Sequence, residues 1–383
     1  MASEPRTSLQ GGNLFAEATH LRALRQMRLI KPADRGELVR RVLLISLVAW
    51  LPLAMLAPGG FFADIAVHSR MLVAVPLLVA ADYLVLPRLE AIGRYLQASN
   101  LLAPSQGVAF AGVMNKARRV SAGNVTAIVL TVLVYTLTTI LINVVPASAI
   151  PAWQRGAVGH GLSAAGWWHA LVSLPILLGL MLGWIWRLMV WTWFLASTSR
   201  LGLCLLPSHP DRAGGLQFIA FSPRIFVPVV LAMATVVAGT LADRIFLAGE
   251  SPIGHEVTPV ATATILVLIF MAPPLVFTRA LLVAWRNGVF LYGDLAARMG
   301  TRFEQKWLEA RLDHGDNPLE SSNFSATVDL YGVVANVYGM KLLLVEYPGL
   351  VLLAVAALLP FAPIWLYVVP LGRLAEHLLG ALF

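Results

Sequence analysis

The sequence predicts an all-α fold: a polytopic transmembrane helix bundle of about seven spans, with a cytoplasmic N-terminus and amphipathic helices on the cytoplasmic side. Three observations carry that expectation. Of 383 residues, 58% are hydrophobic and 13% are charged, against about 25% charged in ordinary soluble domains. Seven apolar runs approach the roughly 20 residues that a helix needs to cross hydrocarbon, where lipid offers backbone N–H and C=O groups no partner. The basic residues fall almost entirely on one side of those runs.

The organisation follows in chain order. Residues 1–41 form a basic cytoplasmic segment, within which Leu21, Leu24 and Met27 alternate with Arg22, Arg25 and Arg28. That spacing predicts a short interfacial helix over 20–30, one face on the lipid and one toward head groups. A six-span region occupies 42–285, with apolar runs at 42–57, 71–87, 126–145, 168–196, 225–241 and 260–285 and with loop helices at 88–121. A cytoplasmic segment at 286–347 reads as two helices, 291–312 and 324–345, broken by Asp, Gly, Asn and Pro at 313–318. A last span at 350–369 and an external amphipathic tail complete 348–383. The long basic stretch before the first run, with no small-x-small pattern closely behind it, reads against a cleaved signal peptide.

Eight Lys or Arg residues precede the first run, five lie between the second and third, three between the fourth and fifth, and six between the sixth and seventh. The opposite side holds Arg70, Arg155, Arg244 and Arg373. Positive residues in short loops are retained inside, so the N-terminus is expected in the cytoplasm and the C-terminus outside. The net charge of +8 is therefore a topology signal that also draws the protein toward anionic lipid head groups. Nucleic-acid binding would need a basic soluble module, and none is evident. The single cysteine, Cys204, excludes an intrachain disulfide and a cysteine-rich metal site.

Prolines punctuate the runs at Pro76, Pro175, Pro228, Pro273, Pro274, Pro360 and Pro363. Each removes a helix hydrogen bond and favours a kink. The Pro273-Pro274 pair should free carbonyls at membrane depth, and these need protein or water beside them.

Charges inside the runs point most directly to function, because a charge at the bilayer centre costs roughly 2.5–3.5 kcal/mol on insertion scales. Asp82, Arg187 and Arg279 qualify, and all three fall in the cytoplasmic half. They are expected to form a polar intramembrane site open inward, with Asp82 and Arg187 as the central pair. The plainer alternative is an ion pair that sets helix positions, and for Arg279 a side chain snorkelling to phosphates. Two arginines against one carboxylate would favour an anion.

The most distinctive polar run is the loop 207–216, which offers His209, Asp211 and Arg212 between two prolines and two glycines. It is a candidate anion or head-group loop, since an arginine beside exposed backbone N–H groups suits phosphate. The plainer alternative is a turn in which Asp211 caps nearby backbone. No Walker loop and no Gly-x-Ser-x-Gly elbow occurs, and His255-Glu256 fails as a zinc motif because position 259 is Pro. His68, His160, His169 and His377 are scattered along the external segments, and no metal and no cofactor are expected. Asp243-Arg244 reads as a local or interhelical ion pair. Trp184, Trp186, Trp191 and Trp193 read as packing or lipid contact, with Trp167 and Trp168 as an interfacial belt. Gly179 and Gly183 permit close helix approach, within one chain or between two.

The motif His209-Pro-Asp-Arg-Ala-Gly-Gly215, the run Leu291-Tyr-Gly-Asp-Leu-Ala-Ala-Arg298 with Lys306-Trp307, and the proline-rich last span make the chain resemble a group of multi-pass bacterial inner-membrane proteins. The resemblance runs from the first span to the end and implies the architecture and the inner membrane, but no activity. The leading functional expectation is a channel or transporter of a small solute or ion, anionic by the charge balance. A membrane-embedded enzyme acting on lipid or phosphate groups, and a non-catalytic scaffold or complex subunit, stand beside it. The expected partners are membrane lipids, the solute or ion, and further copies of the chain as a homo-oligomer.

Overall fold

The computed structural model describes residues 36–57, 59–146, 150–156, 161–252, 254–309 and 322–368. The expected interfacial helix 20–30, the break at 313–318 and the external tail lie outside these residues. The described chain is an all-α bundle. Six of its helices are long and apolar enough to cross a membrane: Gly36–Leu56, Ile65–Ala98, Asn124–Val144, Ala164–Ser199, Gln217–Phe246 and Tyr347–Tyr367. A bent pair, Val257–Met271 and Pro273–Trp307, meets at 41° and, taken as one broken helix, brings the number to seven. In chain order these are spans one to seven, the bent pair being span six.

Proline decides where the spans change geometry. In span two a π-helical turn, Ser69–Ala74, immediately precedes Pro76, and in span four a π-helical turn, His169–Ser173, precedes Pro175. Proline lacks the N–H that an α-helix uses and its ring crowds the carbonyl four residues back, so a locally widened turn relieves both. Pro228 opens the long helix Val227–Phe246, and Pro360 sits in the 3-10 turn Leu359–Phe361. Pro273 and Pro274 end the first half of span six and start a 3-10 turn, Pro273–Phe277. Both prolines and Phe277 are buried there, packed against span four. The break itself is thus set against protein, as hydrocarbon demands.

Span five is the hub. Of its apolar window 61% is buried, against 11% for span three. It packs against the start of span two, against span seven and against the first half of span six. Phe226 at its entry meets Trp184 of span four at 6.5 Å and Phe270 of span six at 5.4 Å between ring centroids. Span three touches the bundle through span four, where Val134 meets Gly179 at 3.9 Å from an added Cβ. Gly179 is therefore used within the chain.

On the face that carries the basic loops, span two runs on to Ala98 and a second helix, Gly107–Ala122, packs on span four. The second half of span six continues unbroken past the membrane, and Ser322–Tyr338 packs along it as a helical hairpin. The expected helix at 291–312 is thus the prolongation of a span. Its partner ends at Tyr338 rather than 345, since Gly339 to Glu346 is non-helical.

Gly239 brings span five onto span two: a Cβ there would lie 1.7 Å from Ser69 Oγ and 2.6 Å from its Cβ. Gly239→Ala is expected to push the two spans apart and cost about 1–3 kcal/mol. Thermal unfolding in detergent would record the loss.

Candidate functional site

Two helices hold the central pair. Leu78 and Asp82 lie one turn apart on span two; Trp184 and Arg187 lie one turn apart on span four. Residues at such spacing share a helix face, so the two pairs meet. Trp184 Nε1 donates to the Leu78 carbonyl at 3.0 Å, and Arg187 donates to Asp82 Oδ1 at 2.5 Å. The Arg187 guanidinium also lies over the Trp184 ring, 4.6 Å from its centroid. Asp82 and Arg187 are 6% and 8% exposed, which places the pair in packed interior.

Arg41 was not foreseen. In sequence it belongs to the basic cluster before the first run, but the helix described over Gly36–Leu56 carries Arg41 inward, 8% exposed, with its guanidinium 3.8 Å from Asp82 Oδ2. One carboxylate therefore ties spans one, two and four together. The only signal was adjacency to the apolar run, which Arg40 shares. Arg279 stands apart from this cluster: it is exposed on the second half of span six. Its position suits contact with head groups.

The loop 207–216 is a clasp. Asp211 Oδ1 accepts from the backbone N–H groups of Ala213 at 2.8 Å and Gly215 at 3.1 Å, and Oδ2 accepts from Gln217 at 3.2 Å. These N–H groups could have held a phosphate; the chain's own carboxylate occupies them. His209 Nδ1 lies 2.8 Å from Asp211 Oδ1 and 3.2 Å from its backbone N. One ring nitrogen cannot donate and accept at once, so the shorter contact makes it the donor to the carboxylate. Burial pushes the Asp211 carboxyl up, but the three backbone donors and His209 outweigh it and hold it below its ordinary value.

The same loop fastens the hairpin. Arg212, with a left-handed φ of 54°, accepts from Lys341 N at 2.6 Å through its carbonyl and donates through Nε to Asn336 Oδ1 at 3.4 Å. Ser208 and the Tyr292 hydroxyl share a hydrogen bond of 3.0 Å. Pro207 sits against Gly288 of the span six prolongation, where a Cβ would lie 2.6 Å from Pro207 Cβ. Arg224 at the start of span five pairs with Glu346 at the start of span seven.

The opposite end of the bundle holds a second polar cluster that sequence reading missed. Asp64 accepts from Val67 N and from Trp153 Nε1, each at 2.9 Å, and Asp243 accepts from Ile65 N at 3.1 Å. Asp243 thus caps span two instead of pairing with its neighbour Arg244. Arg70 donates to Thr240 Oγ1 at 2.8 Å, and Trp50 Nε1 donates to His68 Nδ1 at 2.9 Å. His169 is buried with its ring 5.9 Å from that of Trp153. The partners come from distant parts of the chain, so no local motif announces them. A cavity of about 10 Å³ lies at this end beside Leu241, His255 and Trp365, room for at most about one water. Among the described residues no three His, Cys, Asp or Glu side chains gather as metal ligands would.

No protein-family model, curated protein or solved structure matches the chain. The described helices make it a multi-pass integral membrane protein.

Two outcomes test this geometry. Asp82→Leu should cost about 3–5 kcal/mol, because it strands Arg187 in packed interior; Arg187→Leu should cost less, because Arg41 still faces Asp82, and the double substitution should recover part of the loss. Thermal unfolding of the three variants reads the difference. For the clasp, a carboxyl held low contributes stability above its ordinary value of 3.8 and loses it as pH falls through the depressed value, so the loop stays closed at neutral pH. Asp211→Asn should speed amide exchange at 213, 215 and 217 about tenfold at pH 7.

Proposed function

We propose that the protein is a non-catalytic subunit of a larger membrane assembly: a rigid bundle that presents a helical hairpin on its basic, cytoplasmic face. The clasp carries this reading. Loop 207–216 fixes the hairpin to the bundle through Pro207, Ser208 and Arg212, yet leaves Phe290 and Leu291 78% and 71% exposed beyond the membrane-crossing part of span six. Large apolar side chains in that position fit a protein partner.

The intramembrane charges support the same reading. Transport through one chain needs water to reach Asp82 and Arg187, and both are enclosed by spans one, two and four. A lipid-directed enzyme would need the backbone donors at 213, 215 and 217, and Asp211 fills them. What remains for both groups is to hold helices in place.

Purified protein in liposomes tests the proposal. Chloride, phosphate and potassium flux should match protein-free vesicles, and Phe290→Ser with Leu291→Ser should leave unfolding unchanged while shrinking the native complex isolated from membranes. Saturable flux that disappears in the folded Asp82→Leu, Arg187→Leu double variant would return the protein to the transporters.

A further inference from the structure

Of the six helices long enough to cross alone, span three is the least covered, with Val134 and Thr138 its buried residues. Beside that buried face stand Thr131, Tyr135, Thr136, Thr139 and Asn143, all exposed. At about 100° per residue these five fall within about 140° of arc, to one side of the face that packs on span four. Four of them recur every fourth residue. Thr131 and Thr136 lie within about 5 Å, along the axis, of Val134 at the middle of the span.

The hydrogen bonding of this stripe is incomplete. Thr139 Oγ1 donates to the Tyr135 carbonyl at 2.8 Å, Asn143 Nδ2 to the Thr139 carbonyl at 2.7 Å, and the Tyr135 hydroxyl to the Leu171 carbonyl at 3.4 Å. The hydroxyls of Thr131 and Thr136 make no hydrogen bond among the described residues, although both sit at the depth where lipid tails offer none. Such groups act as glue between membrane helices. Every member of the stripe both donates and accepts, so the surface is complementary to itself. A two-fold axis beside span three would place each such group against its counterpart or that counterpart's neighbour.

From these observations we infer that span three is the contact face of a homodimer, and that its partner is span three of a second copy. The four-residue spacing sets the geometry: ridges of that period interlock at a right-handed crossing of about −40° to −50°. Ile128 and Val132, 62% and 61% exposed, fill the space between the polar side chains. This inference rests on the assembly reading and names one of its partners; the flux and hairpin measurements above can fail without touching it.

Replacing Cys204, the one cysteine, by serine leaves a background for single cysteines in native membranes. Oxidation should link dimers through Cys at 131, 135 or 139, and several-fold less through Cys at 133 or 141 on other faces of the same helix. Equal linkage at all five positions, or none along the stripe, overturns the inference. Single-molecule photobleaching of the labelled full chain in bilayers should count two subunits; one step overturns it as well. Thr131→Val, Thr136→Val and Asn143→Leu together keep the shape of an exposed face and should weaken dimerisation by about tenfold. An unchanged dimer in that variant would place the contact elsewhere.

Discussion

Hydrocarbon supplies no hydrogen bond, and the buried charges and proline breaks of this bundle answer to that constraint. A carboxylate at membrane depth must find its partners in protein, and Asp82 finds Arg187 and Arg41. Those three residues come from three spans, so the requirement of one side chain becomes a constraint on the placement of three helices. Trp184 extends the constraint by binding the Leu78 carbonyl while its ring lies beneath Arg187.

The same demand explains the prolines. Each one subtracts a donor from a helix and obstructs a carbonyl. Ahead of Pro76 in span two and Pro175 in span four a π-helical turn absorbs the loss, while Pro52 and Pro87 lie within continuous α-helix; where two prolines fall together in span six, the helix breaks and the break is pressed against span four. Polar chemistry outside the hydrocarbon is handled by side chains aimed at backbone. Asp211 closes its own loop, while Asp64 and Asp243 close the start of span two. In these places a carboxylate is occupied by neighbouring N–H groups, which is why residues that look reactive in sequence serve as fasteners.

On span three the hydroxyls of Thr131 and Thr136 leave the constraint unmet within one chain. Its outer threonines, tyrosine and asparagine have the polarity of an interface and the exposure of a lipid-facing helix. A second copy meets the demand with the same chemistry that the first copy leaves over.

Much of this was legible in the residues. Spans and their order follow from hydropathy and length, because crossing hydrocarbon requires a helix of fixed extent whatever surrounds it. Asp82 and Arg187 were legible as a pair, since charge inside an apolar run is costly and the two lie at similar depth. Arg41 was not, because a basic residue beside the first run looks like every other residue that sets topology, and only the inward course of span one distinguishes it. Loop 207–216 was legible as unusual and not as a clasp: whether its N–H groups face a ligand or Asp211 depends on torsions that composition does not contain. The outer cluster of Asp64, Trp153, Asp243 and Arg70 was invisible for the same reason that it is stable. By itself the sequence determined that the chain crosses the membrane, about how often, and that Asp82 and Arg187 lie within its apolar runs; the tertiary structure alone decided which charges meet, because contacts between spans depend on helix rotation and tilt, which packing sets and hydropathy does not.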